Sequence, residues 1–148
     1  MSVTATQSST LKSLLGPAVA PRPFDLAQPL NVIRIVAGLF YLPHILFKVF
    51  GMAGALGFFA KAGLVPAPFF VGLALVVETI ACVALTFGLY LRWTGLLSAG
   101  CMAVAAYAVF ATKGAGWLWN LGGVEYLTMW AVISLAIAYN AWKQAARA

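Results

Sequence analysis

The stretch FFVGLALVVETIACVALTFGLYL, residues 69–91, is apolar enough to dissolve in hydrocarbon, yet it carries a carboxylic acid, Glu78, near its middle. About 20 consecutive apolar residues suffice for a helix to cross a bilayer, so this stretch predicts a membrane-spanning helix. Three further runs have the same character: NVIRIVAGLFYLPHILFKVF (31–50), TGLLSAGCMAVAAYAVFA (94–111) and GGVEYLTMWAVISLAIAYNAW (122–142). The run at 94–111 is the shortest and needs a few residues from its flanks to span. Lipid admits only helices or closed barrels. Barrel strands alternate in polarity over about ten residues, and these runs do not alternate. The expected fold is an all-α, integral membrane four-helix bundle.

The composition agrees. Of 148 residues, 64% are hydrophobic and 8% are charged, whereas a soluble domain carries roughly 25% charged residues. The bundle is expected to occupy residues 31–142 as one domain. A polar tail, 1–30, precedes it and a short basic tail, 143–148, follows. The segment LLGPAVA (14–20) has the look of a signal-peptide end, but its apolar part is short and broken by Pro17, so the tail is expected to be retained. A short amphipathic helix around residues 10–16 would lie on the membrane surface.

The formal net charge of +6 does not call for nucleic acid, because the basic residues gather at helix ends rather than along a stripe. With four spans, Lys12, Arg22, Arg92, Lys143 and Arg147 share one side of the membrane. Lys61 and Lys113 fall on the other, with Lys48 near a helix end. The excess of Lys and Arg on the first side predicts that both termini are cytoplasmic. Cys82 and Cys101 lie within spans at similar depth and lack C-x-x-C spacing. Two small apolar thiols in the core are the plainer expectation, and burial argues against a redox-active pair.

The first run carries a polar seam. Arg34, Tyr41, His44 and Lys48 fall within an arc of roughly 80° at 100° per residue. Pro43, inside the same run, removes one backbone hydrogen bond and predicts a kink that leaves the Leu39 carbonyl free. Snorkelling to the cytoplasmic surface is the expected behaviour of Arg34. From the opposite surface, Glu78 lies roughly 13 Å deep and His44 roughly 9 Å deep, so these two are predicted neighbours. Lys48 and Glu125, each within about one turn of that surface, form a second predicted pair.

A lone carboxylate in hydrocarbon would cost several kcal/mol, so Glu78 must be paired, protonated or next to water. Burial opposes ionisation and a neighbouring cation favours it, and a carboxyl pulled both ways suits proton exchange. The bland alternative is a hydrogen bond that locks the bundle. The outer loop FFAKAGLVPAPFF (58–70) ends in Pro66 and Pro68, which start the second span. In the other outer loop, TKGAGWLWNLGGVEY (112–126), Trp117 and Trp119 suit the aromatic belt at the membrane surface. Stacking on a flat ring beside Glu125 and Tyr126 is their alternative use. With one histidine there is no bis-histidine haem, no cluster has metal-ligand spacing, and no glycine loop fits a nucleotide. Neither haem nor metal is expected.

Several of these segments together resemble the DoxX/DoxD family of small four-helix bacterial membrane proteins, over roughly residues 30–142. They are Arg34, LFYLPHILFKVFG with Lys48 and Gly51, FFAKAGLVPAPFF, the intramembrane Glu78, GLYLRWTGLL with Arg92, and GGVEYLTM. The resemblance implies a multi-pass protein of the bacterial cytoplasmic membrane, linked to quinone reduction or to a partner oxidoreductase assembly. On that expectation the chain is a membrane subunit offering a proton and quinone site to a partner redox protein. His44 or Lys48 would bond the quinone, Glu78 and Glu125 would handle protons, and Tyr126, Trp117 and Trp119 would wall the ring. Arg34, Tyr41 and Arg92 would hold the polar seam together. Any catalysis would then belong to a quinone-dependent oxidoreductase formed with the partner. Two further readings stand beside it: a non-catalytic anchor or assembly factor, and a small-solute carrier that would need a homo-oligomer.

Overall fold

A computed structural model describes residues 15–145; the predicted surface helix at 10–16 falls largely outside them, as do Lys12 and Arg147. The regular structure among the described residues is helical, apart from one isolated antiparallel bridge between Val19 and Leu89. The first run forms α1 (Pro29–Leu39) and α2 (Tyr41–Phe50), interrupted only at Phe40. Pro43 explains the position of the break. It has no N–H for the carbonyl four residues earlier, and its ring crowds that turn. The two pieces together still cover 22 residues, Pro29–Phe50, apolar enough on average to cross a membrane.

Gly51 ends α2, and the chain re-enters helix at once as α3 (Met52–Lys61). The predicted loop at 58–70 is therefore shorter than expected. Met, Ala, Leu and Lys are good helix formers, and MAGALGFFAK carries the helix through Lys61. The second span is α4 (Ala67–Phe87), entered from Pro66 and closed by Gly88 in the left-handed conformation, the usual reason for glycine just past a helix end. α5 (Leu91–Lys113) has 23 residues, reaching beyond the predicted 94–111 at both ends. A 3-10 turn (Trp119–Leu121) precedes α6 (Glu125–Ala145), which has 21 residues.

Pro29–Phe50, Ala67–Phe87 and Leu91–Lys113 are long and apolar enough to cross a membrane. Their outward faces stay apolar, with Phe50 84% and Phe47 73% exposed. In water, so much contiguous apolar surface would drive association; in lipid it is the expected surface.

Small residues set the packing. α5 and α6 run antiparallel and in close contact: a methyl group at Gly95 would stand 2.7 Å from the Ser134 carbonyl oxygen and 2.9 Å from the Ala138 Cβ. α1 meets α4 in the same way, since a methyl at Gly38 would lie 2.6 Å from the Thr86 hydroxyl. Between the helices sit Ala37, Tyr41, Ala81, Leu85, Met102, Trp130 and Ile137. Without a hydrophobic effect between lipid-embedded helices, such close approach and buried polar contacts hold the bundle.

One end of the bundle is closed by the chain before α1. Ala20 N–H donates to the Gly88 carbonyl (2.8 Å) and Tyr90 N–H to the Ala18 carbonyl (3.0 Å), so this segment lies across the α4–α5 turn. Arg34 fastens it. Its guanidinium donates to the carbonyls of Leu85 and Pro23, and at 2.9 Å to that of Thr86. The side chain is 1% exposed, so the expected snorkelling does not occur. The reason is local: the last carbonyls of α4 have no intrahelical partner, and a cation there also complements the helix dipole.

Candidate functional site

The charged centre of the bundle joins α2 to α4. Lys48 Nζ lies 2.7 Å from Glu78 Oε1 and 2.9 Å from Oε2, the geometry of an ammonium held by both oxygens of a carboxylate. Both side chains are largely shielded, at 13% and 9% exposure. The predicted partners are thus exchanged. Glu78 takes Lys48 rather than His44, because the flexible lysine stem carries its charge deeper than its backbone position suggests. Glu125 in turn lies away from Lys48. Its Oε2 accepts the Trp119 N–H at 3.3 Å and fastens the loop ahead of α6.

Lys48 and Glu78 line an apolar groove of about 1270 Å³ between α4 and α5, roofed by α2 and α3. A drug-sized ligand site is typically about 300–1,000 Å³. The groove runs from Phe70 and Val109 at one end to Trp93 and Thr94 at the other. From Trp93 to Val109 the helix rise amounts to roughly 24 Å. Phe47, Phe58, Phe59 and Phe70 furnish one end, Ile80, Leu96 and Leu97 the other. Leu73, Ile80, Leu96 and Val104 are among its exposed apolar residues, so the groove opens sideways, towards where acyl chains would lie.

His44 also lines this groove. Its ring packs against Trp130 at 5.7 Å between centroids and makes no hydrogen bond among the described residues. Tyr41 sits at the inner wall and starts a buried chain of hydroxyls. Tyr41 Oη is 2.7 Å from Ser98 Oγ, Ser98 Oγ is 2.7 Å from Ser134 Oγ, and Ser134 Oγ donates to the Trp130 carbonyl at 2.9 Å. Each hydroxyl owns one proton. Since Ser134 gives its proton to Trp130, Ser98 must donate to Ser134 and Tyr41 to Ser98.

The remaining predicted site residues lie elsewhere. Tyr126 packs on Trp130 at 5.4 Å and lines a separate apolar cavity of about 250 Å³. Trp117 and Trp119 are exposed on the loop before α6 and outside the groove lining. Arg92 is buried with its guanidinium 4.6 Å from the centre of the Trp142 ring, a cation–π contact at the end closed by Arg34. Cys82 and Cys101 are free thiols, and Cys101 lines the groove. Sequence reasoning missed Trp130, the aromatic hub that touches Phe40, Tyr41, His44 and Tyr126. It also missed Ser98 and Ser134. Ser98 stands ahead of the small residues Ala99, Gly100 and Cys101 and Ser134 between Ile133 and Leu135, and a lone hydroxyl inside an apolar run was the available signal.

Helices with apolar outer faces, three helical segments among the described residues long and apolar enough to cross a membrane, and an ion pair kept inside a laterally open groove define a multi-pass membrane protein. The model of the DoxX family matches residues 30–111, more than half of the chain, and the chain belongs to that family. No curated protein matches it, and no solved structure does. The matched region contains α1 to α4 and most of α5, and so both partners of the ion pair. α6, which supplies Trp130 and Ser134, lies beyond it.

Proposed function

We propose that this DoxX-family chain is a four-span subunit of the bacterial cytoplasmic membrane, with both termini in the cytoplasm. Its groove would offer a quinone and proton site to a partner oxidoreductase. The observation that carries this reading is the Lys48–Glu78 pair lining a long apolar groove open to lipid. An amphipathic ring compound with a lipophilic tail matches that combination: the ring reaches titratable groups while the tail stays in hydrocarbon. Quinone chemistry moves protons together with electrons, and protons at this depth need ionisable side chains. His44 and Glu78 are the groups to exchange them. Electrons would come from the partner's redox centre. Residues 16–20, the end of α4, the start of α5 and the end of α6 would make up the cytoplasmic face, in keeping with the placement of Arg22, Arg92 and Lys143.

Gentle purification followed by solvent extraction tests this directly. Quinone at a fixed ratio to the chain, reduced in Glu78→Gln, supports the site; quinone no richer than in the surrounding lipid rejects it. A second reading, a non-catalytic anchor, is favoured by one observation: the pair is satisfied within the chain and ties α2 to α4. That reading predicts that variants at Lys48 and Glu78 lose stability or partner capture while any turnover per assembled complex is unchanged.

A further inference from the structure

The hydrogen-bonding groups around the ion pair are unevenly matched, and the imbalance has consequences for what can bind. Lys48 has three N–H donors. Two are taken by the carboxylate, and the third faces the His44 carbonyl at 3.4 Å. Glu78, an acceptor with about four lone-pair sites, uses two of them on Lys48. Tyr41 has its single proton committed to Ser98 by the hydroxyl chain, and Thr94 donates to the Leu89 carbonyl at 2.9 Å. The Trp130 ring lines the groove, but its indole nitrogen, without a hydrogen-bond partner among the described residues, is itself fully buried. Among the side chains at the pair, His44 alone retains ring nitrogens free to face a ligand, one donor and one acceptor when neutral.

From this inventory we infer that the groove selects a lipid whose head carries an O–H donor, so that, if the quinone reading holds, the reduced hydroxyl-bearing quinol is the form bound most tightly. A quinol hydroxyl donates to a free lone pair of Glu78 and leaves the Lys48 pair intact. A quinone carbonyl, which only accepts, can take the His44 ring N–H just as a quinol oxygen can, but it has nothing to give the acceptor-only carboxylate and meets an ammonium already in use. To gain a donor from Lys48 it would have to open a shielded ion pair, which is costly in low dielectric. The net neutrality of the pair also disfavours an anionic headgroup, because among the described residues that line the groove no second Lys or Arg stands beside Lys48 to balance it. The inference rests on the proposed quinone site but concerns only which redox form it favours.

The test uses the wild-type chain in lipid nanodiscs under anaerobic conditions, with a tritiated alkyl hydroquinone as probe. Unlabelled hydroquinone, the matched quinone and the hydroquinone dimethyl ether compete for it. The expected result is displacement by hydroquinone at a concentration at least about tenfold below that of the quinone or the ether. That is the factor one hydrogen bond to a charged acceptor supplies. In Glu78→Gln, whose amide both donates and accepts, the preference should shrink towards parity. Equal or tighter binding of the quinone by the wild-type chain overturns the inference while leaving the quinone site standing. Absence of displaceable binding by any of the three overturns both.

Discussion

Lys48 reaches Glu78 with its ammonium 2.7 Å from one carboxylate oxygen and 2.9 Å from the other, tying the second piece of a proline-broken helix to the middle of the next span. Because α3 follows at Gly51, the pair also fixes where the chain turns above the groove. Its two charges cancel where neither could be tolerated alone. Removing one partner leaves an uncompensated buried charge, which typically costs about 3–5 kcal/mol, whereas replacing both can be nearly neutral. Lys48→Met and Glu78→Leu should each lower the unfolding midpoint in mild detergent, and the double variant should recover most of the loss. Additive losses in that double-mutant cycle would show that the two groups do not stabilise one another.

Arg34 joins three chain segments through carbonyl groups, and a lysine cannot copy its planar fork. Arg34→Lys should therefore destabilise nearly as much as Arg34→Ala, with a loss on the order of 3 kcal/mol. In both variants the segment before α1 should become accessible to protease, which gel mobility after limited digestion reads out. A lysine variant as stable and protected as the wild type would contradict the clamp.

The contact at Gly95 tolerates no added methyl group, since Ser134 and Ala138 already occupy the space. Gly95→Leu should push α5 from α6 and cost about 1–3 kcal/mol or more. At Gly100, a methyl group would meet no atom within 4 Å, and Gly100→Leu should leave the midpoint near that of the wild type. Thermal unfolding of the two variants side by side checks the difference.

Tyr41 donates into a chain of two serines that ends on the Trp130 carbonyl. Tyr41→Phe removes the first donor but leaves Ser98 able to donate to Ser134, so a loss of about 1 kcal/mol is expected. Ser98→Ala leaves both neighbours without their partner and should cost more, about 2–3 kcal/mol. The reverse order, measured by unfolding in detergent, would mean the chain runs the other way.

Glu125 fastens the loop before α6 through the Trp119 N–H and does not line the groove. Glu125→Ala should loosen that loop, seen as faster amide exchange at Trp119. The stoichiometry of any bound quinone should stay unchanged, in contrast to Glu78→Gln.

Much of the framework was legible in the residues. Apolar runs of spanning length with an acid at the centre of one forced helices in lipid and an inward-facing Glu78, because an unpaired carboxylate in hydrocarbon costs too much. Pro43 announced a break, and the Arg34-to-Lys48 seam identified the polar face of the first span. Partner choice was not legible. Depth counted along separate helices put His44 beside Glu78, yet the Lys48 stem reaches back past His44, and the break at Phe40 re-aims the helix that carries both. The outer helix α3, the exposed position of Trp117 and Trp119, and the Trp130 hub likewise depend on how helices rotate and lean against one another. Linear spacing constrains which residues share a face of one helix. Only the packing of several helices decides which faces meet, because close approach at Gly38 and Gly95 and the reach of individual side chains are properties of the assembled bundle.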